Sequence, residues 1–209
     1  MIFTLDESLR QRLSDNLEGF EIQTLAGDGL RSAAVALVVT SDPEGVPAIL
    51  LTLRPVRMGR HSNQYALPGG KVDPGETATQ AAFRELSEEL GIDLPQSALL
   101  GQLDDYPTRS GFRITPFVLW AGAGVTITPE PTEVAEVHYI PFAELDSDAI
   151  PLFAPGETED RPVLYSNFPA LGTQMYSPTA SIIYQFREAA LHGRRTRVSH
   201  FDQPRFAWR

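Results

Sequence analysis

The chain has 209 residues, with 17 Lys and Arg against 27 Asp and Glu, for a formal net charge of −10. Its 42% hydrophobic and 21% charged content is ordinary for a soluble globular protein, and the acidic balance argues against DNA or long RNA as a partner. The absence of cysteine excludes disulfides, thiolate metal sites and a cysteine nucleophile, and fits a cytoplasmic location.

No apolar run reaches the roughly 18 residues that a membrane span needs. The opening MIFTLDESLRQRL has early acidic residues and no apolar stretch, so it does not read as a secretory signal. Leu9, Leu13 and Leu17 are spaced by four, which predicts a helix within Leu5 to Phe20. Ala33 to Thr40 and Pro47 to Arg54 read as strands, and SDPEG between them as the turn of a hairpin. The first of these strands is apolar throughout, which predicts burial on both faces.

The next stretch, YALPGGKVDPGE from Tyr65, is a loop by its Gly and Pro content. A helix follows from about Thr77 to Leu90. Thr77 with Gln80 makes a capping box, and Gly91 is its stop. Later strands are expected at Ala98 to Leu103, Arg113 to Ala121 and Val134 to Ile140, and a second long helix at Ser177 to Leu191. Ile150 to Thr173 is rich in Pro, Gly and acids, with one short strand candidate at Val163 to Tyr165, and reads as an insertion or lid. In the tail HFDQPRFAWR, the aromatic Phe201, Phe206 and Trp208 are expected to pack on something.

The chemistry lies in GKVDPGETATQAAFRELSEELGI, residues 70 to 92. Glu85, Glu88 and Glu89 stand at i, i+3 and i+4 and share one side of the helix. The apolar stripe is Ala78, Ala82, Leu86 and Leu90; Glu89 falls inside it and Glu85 beside it. An isolated RELSEE would be a solvated acidic face with Arg84 and Glu88 as a simple pair. Carboxylates that overlap a buried stripe instead repel each other and lose hydration, which a cation would relieve. Hard oxygen donors without His or Cys point to Mg²⁺ or Mn²⁺. The Gly-rich loop running into the helix offers backbone N–H groups to an anion.

This segment resembles the Nudix box at every defined position: Gly70, Glu76, Arg84, Glu85, Leu86, Glu88, Glu89, Gly91 and Ile92. The resemblance implies an α/β fold, a mixed β-sheet sandwiched between helices, and a metal-dependent hydrolase of pyrophosphate linkages. Residues 33–145 would be the catalytic core, 1–32 an N-terminal helix and lead-in, and 146–209 the insertion or lid, helix and tail on the same domain. Glu85, Glu88 and Glu89 would hold the ions, with a Gly70 carbonyl near one of them; Glu76 and Arg84 would fix the loop and the carboxylates. The general base is Glu85 or an acid on a later loop, Glu133 or Glu136. The family analogy alone raises a homodimer. A non-catalytic, nucleotide-sensing domain is the rival reading, disfavoured because every box glutamate is present.

Upstream of the box, Leu50, Leu51, Thr52, Arg54, His61, Gln64, Ala66, Pro68, Gly69 and Gly70 resemble the signature of coenzyme A pyrophosphatases. Pro55, Gly59, Asn63 and Leu67 depart from it, and Arg60 stands one position from an expected arginine. Arg54, Arg57, Arg60 and His61 would supply positive charge for a substrate with a phosphate beyond its pyrophosphate, and Gln64 is a further substrate contact. ADP-ribose or a dinucleotide is the competing substrate.

Overall fold

A computed structural model describes residues 3–26, 29–55 and 64–204. The first helix, α1 (Glu7–Glu18), starts where the Asp6 carboxylate accepts from the Leu9 backbone N–H at 2.9 Å and buries Leu9, Leu13 and Leu17. The expected hairpin is β1 (Arg31–Ser41) and β2 (Pro47–Leu53), antiparallel through Val39 opposite Ile49.

The Gly-rich segment is not all loop. Tyr65–Ala66 (β3) pairs with β2, and Gly69–Lys71 (β4) pairs with β1, with Gly70 opposite Ala34. Gly69 has φ 149°, and a Cβ there would strike the Ala34 carbonyl and the Val35 backbone. Only glycine lets this loop lie so close to β1. The box helix is α2 (Ala78–Leu90). Its capping box joins Thr77 and Gln80 as expected, and Gly91 ends it in the left-handed region at φ 64°.

Short strands β5 (Leu99–Gln102) and β6 (Tyr106–Pro107) flank β7 (Phe112–Gly122), which runs parallel to β1 along almost its whole length. Strand β8 (Glu136–Pro141) pairs with β2, and the short α3 (Phe142–Leu145) follows. The sheet is mixed, its path running β3-β2-β1-β7-β5, with β4, β6 and β8 attached to β1, β7 and β2.

Alternation along β1 divides the core. Ala34, Ala36 and Val38 join Ala81, Ala82, Leu86 and Leu90 under α2. Leu37 and Val39 face the other way, with the leucines of α1 and with Phe142, Ile182 and Phe186. The sheet is therefore covered by helices on both faces, the α/β sandwich that the resemblance implies.

For residues 150–173 the sequence predicts one short strand. They form most of a second sheet instead: β9 (Leu152–Ala154), β10 (Val163–Phe168) and β11 (Thr173–Tyr176), antiparallel in the order β11-β10-β9. Leu164, Phe168, Leu171 and Met175 enter the same core as α1. The second long helix is shorter than expected as an α-helix: α4 (Thr179–Phe186) passes into a π turn at Arg187–Leu191. Phe201 packs on Phe153, and Asp202 bridges to Val163 of β10. Phe206 and Trp208 lie outside the described residues.

Candidate functional site

Glu89 sits among the apolar residues of α2 and is 2% exposed. One of its oxygens accepts from the Gly69 N–H at 3.1 Å, and the Arg54 guanidinium at the end of β2 stands 3.7 Å from the other. Burial pushes its carboxyl up to about 7; Arg54 and the Gly69 N–H oppose this, while Glu85 and Glu133 add to it. Burial likewise raises Glu85, against the hydrogen bond from Arg84.

Arg84 organises the box. Its Nε and Nη2 donate to Glu76, at 3.2 and 2.8 Å, and Nη1 donates to Glu85 at 3.0 Å and Glu88 at 2.7 Å. Nη2 also donates to the Lys71 carbonyl at 3.1 Å, tying the helix to the end of β4. Glu76, above all, holds this guanidinium charged, and Arg84 in turn lowers Glu76. A lysine has no such fork.

Carboxylate oxygens of Glu85, Glu89 and Glu133 lie within 4.8 Å of one another. Glu133 reaches them because its loop docks on the end of α2. Thr128 and Glu130 donate their N–H groups to the Leu90 and Glu89 carbonyls, at 2.8 and 2.9 Å, satisfying two of the helix's last acceptors. Ala135 then donates to the Leu53 carbonyl of β2 at 2.8 Å, and Val134 is buried under α2. Glu136, the alternative acid, is instead exposed and bonded to His138 at 3.0 Å. Glu88 is more than half exposed and engaged with Arg84.

The donor set fits a divalent cation. All three groups are hard oxygens, and their mutual repulsion is only partly relieved by Arg54. A Cβ on Gly70 would overlap the Glu85 carboxylate, so glycine keeps the space beside that carboxylate open.

These carboxylates line a cleft of about 1120 Å³. Arg54, Gln64, Gly70, Arg84, Glu85 and Glu133 all face it. Arg60 and His61, with Arg57, lie outside the described residues. Sequence reasoning did not name Leu171, Gln174, Tyr176 and Ile182, which also line the cleft, from the second sheet and α4. Nothing local marks those residues, because they meet the box only through tertiary packing.

The NUDIX domain family matches residues 30–165. The chain is similar to an uncharacterized Nudix hydrolase, NudL, of Photorhabdus laumondii subsp. laumondii: 34% identical over 138 residues, covering 63% of this chain and 73% of that protein. A NudL of Yersinia pestis is 32% identical over 146 residues, covering 64% and 72%. Among solved structures, a MutT/nudix family protein from Enterococcus faecalis aligns with a TM-score of 0.52 at 16% identity, over 77% of this chain and 62% of that one, a likeness of fold. With its complete box folded around a carboxylate-lined cleft, the chain belongs to the Nudix hydrolases.

Proposed function

We propose that this Nudix hydrolase cleaves the pyrophosphate of coenzyme A or its acyl derivatives, giving 4′-phosphopantetheine, or its acyl form, and adenosine 3′,5′-bisphosphate. The observation that carries the hydrolytic chemistry is the convergence of Glu85, Glu89 and Glu133 within 4.8 Å beside the glycine loop. The coenzyme A assignment is supported by the signature residues from Leu50 to Gly70, of which Arg54 and Gln64 line the same cleft.

Glu85 and Glu89 would hold Mg²⁺ or Mn²⁺, with the Gly70 carbonyl beside them. Glu88 would join only by giving up its bond to Arg84. Divalent ions there would place positive charge against the phosphoryl oxygens and make water a stronger nucleophile. The chain's own part is positional. Arg84 fixes Glu85 through a fork anchored on Glu76, and Arg54 places a positive charge beside Glu89. Glu133, held by the docked loop, takes the proton from the attacking water; Glu85 is the other candidate base. Arg60 and His61 would add contacts to the 3′-phosphate.

The test is a hydrolysis screen with coenzyme A, ADP-ribose, NADH, diadenosine polyphosphates and dNTPs, each with Mg²⁺ and with Mn²⁺. Preference for coenzyme A is expected. Preference for ADP-ribose or a dinucleotide would replace the substrate and keep the mechanism. Hydrolysis of none, with nucleotide binding retained, would make this a sensing domain.

A further inference from the structure

The cleft is segregated by charge. Among the described residues that line it, every charged side chain comes from the end of β2, from the stretch running from β4 through α2, or from Glu133. The wall that the second sheet and the start of α4 contribute offers Leu171, Thr173, Gln174, Tyr176, Thr179 and Ile182, none of them charged. At about 1120 Å³ the cleft also exceeds the roughly 300–1,000 Å³ of ordinary small-molecule pockets. A pyrophosphate at the carboxylates therefore leaves this wall to another part of the substrate.

Tyr176 is the ordered feature of that wall. It stands opposite Tyr165 in the β10–β11 register, and the two rings stack with centroids 5.4 Å apart and planes 28° from parallel. Its hydroxyl donates to the Gln174 side chain at 2.5 Å. The ring is thus held from its edge and by one neighbour, and it shares the lining of the cleft with the apolar Leu171 and Ile182 and with Thr173 and Thr179. A wall of this kind gives an anionic group no cation to pair with, but suits a neutral chain carrying amide or hydroxyl groups between apolar stretches.

We propose that the wall from Leu171 to Ile182 receives an uncharged, partly apolar arm of the substrate, and that Tyr176, positioned by Gln174, determines specificity for that arm. This rests on the reading of the chain as a hydrolase of a nucleoside-diphosphate derivative and adds the chemistry of the group on the far side of the pyrophosphate.

The test compares two substrates alike around the pyrophosphate, coenzyme A and the arm-less methyl ester of 3′-phospho-ADP. Tyr176→Ala is expected to raise KM for coenzyme A about tenfold, with kcat held within about twofold and the methyl ester unaffected. An unchanged thermal melt of the variant serves as the folding control. Gln174→Leu, which removes the acceptor of the Tyr176 hydroxyl, is expected to raise KM for coenzyme A. A KM for coenzyme A unmoved by Tyr176→Ala would overturn the proposal, as would equal losses on both substrates. Should the wild type prefer ADP-ribose, the coenzyme A reading falls by itself, and the same variants are then compared on ADP-ribose and the methyl ester of ADP.

Discussion

Gly70 and the Glu85 carboxylate occupy adjoining space so closely that a single methyl group on Gly70 would overlap it. The glycine is needed here for volume, since its φ lies outside the left-handed range. Gly70→Ala is expected to displace Glu85, a side chain that can swing away, and leave the sheet intact. Turnover should fall on the order of a hundredfold while the melting temperature moves by only a few degrees. Kinetics and calorimetry on the same preparation check this, and full activity would mean that the position of Glu85 does not matter.

Glu89 makes stability depend on pH in a defined sense. Its carboxyl is raised from 4.5 to about 7 in the fold, so between those values the native state holds a proton that the unfolded chain has lost. Metal-free protein should therefore be most stable at the acid side of this window and lose on the order of 3 kcal/mol as pH rises through about 7. Glu89→Gln should flatten that slope, and saturating Mg²⁺ or Mn²⁺ should remove it by stabilising the ionised form. Melting temperatures in chelator and in metal, from pH 5 to 8, decide the matter; a slope that survives Glu89→Gln belongs to another group.

Glu88 and Glu133 exchange prominence between sequence and structure, and their variants should separate. Glu133→Gln is expected to lower kcat on the order of a hundredfold at saturating metal. Glu88→Gln should chiefly raise the metal concentration needed for half-maximal activity, and should loosen Arg84 by removing one of its acceptors. An unchanged metal requirement would take Glu88 out of the ion set.

Asp202 is 2% exposed and accepts from Arg109 Nε and Nη2 at 2.9 and 3.0 Å. Burial raises its carboxyl, but the Arg109 hydrogen bond brings the balance below the ordinary range. Asp202→Ala should cost about 2 kcal/mol, less than a fully buried pair because Arg109 is a third exposed, and lower the melting temperature by roughly 5 °C. A thermal melt unchanged by this substitution would show that the Arg109–Asp202 pair contributes nothing to the fold.

Much of this was legible in the sequence because it is local. The leucines at 9, 13 and 17 define α1, the Thr77–Gln80 box and Gly91 bound α2, and the overlap of Glu89 with the apolar stripe announces a buried carboxylate. Other features have no local signature. Strands β3 and β4 are two and three residues long, too short for a period, and β4 lies against β1 only because Gly69 has no Cβ to strike it. The parallel β1–β7 pair joins segments some eighty residues apart. The second sheet is built around proline- and glycine-rich chain that periodicity cannot resolve. Glu133 could be nominated by its acidity, but only the docking of residues 128–135 on the end of α2 selects it over Glu136.

The return of the C-terminal segment has a consequence for the order in which the protein becomes functional. Gln203 is buried, holds the loop after β6 through its bonds to Arg109 and Pro107, and lines the cleft. A ribosome makes the entire box long before it makes this residue. The carboxylates proposed to hold a divalent ion are thus synthesised while the cleft they line still lacks one of its residues, so the lining of the cleft is completed only when the last part of the chain returns to it.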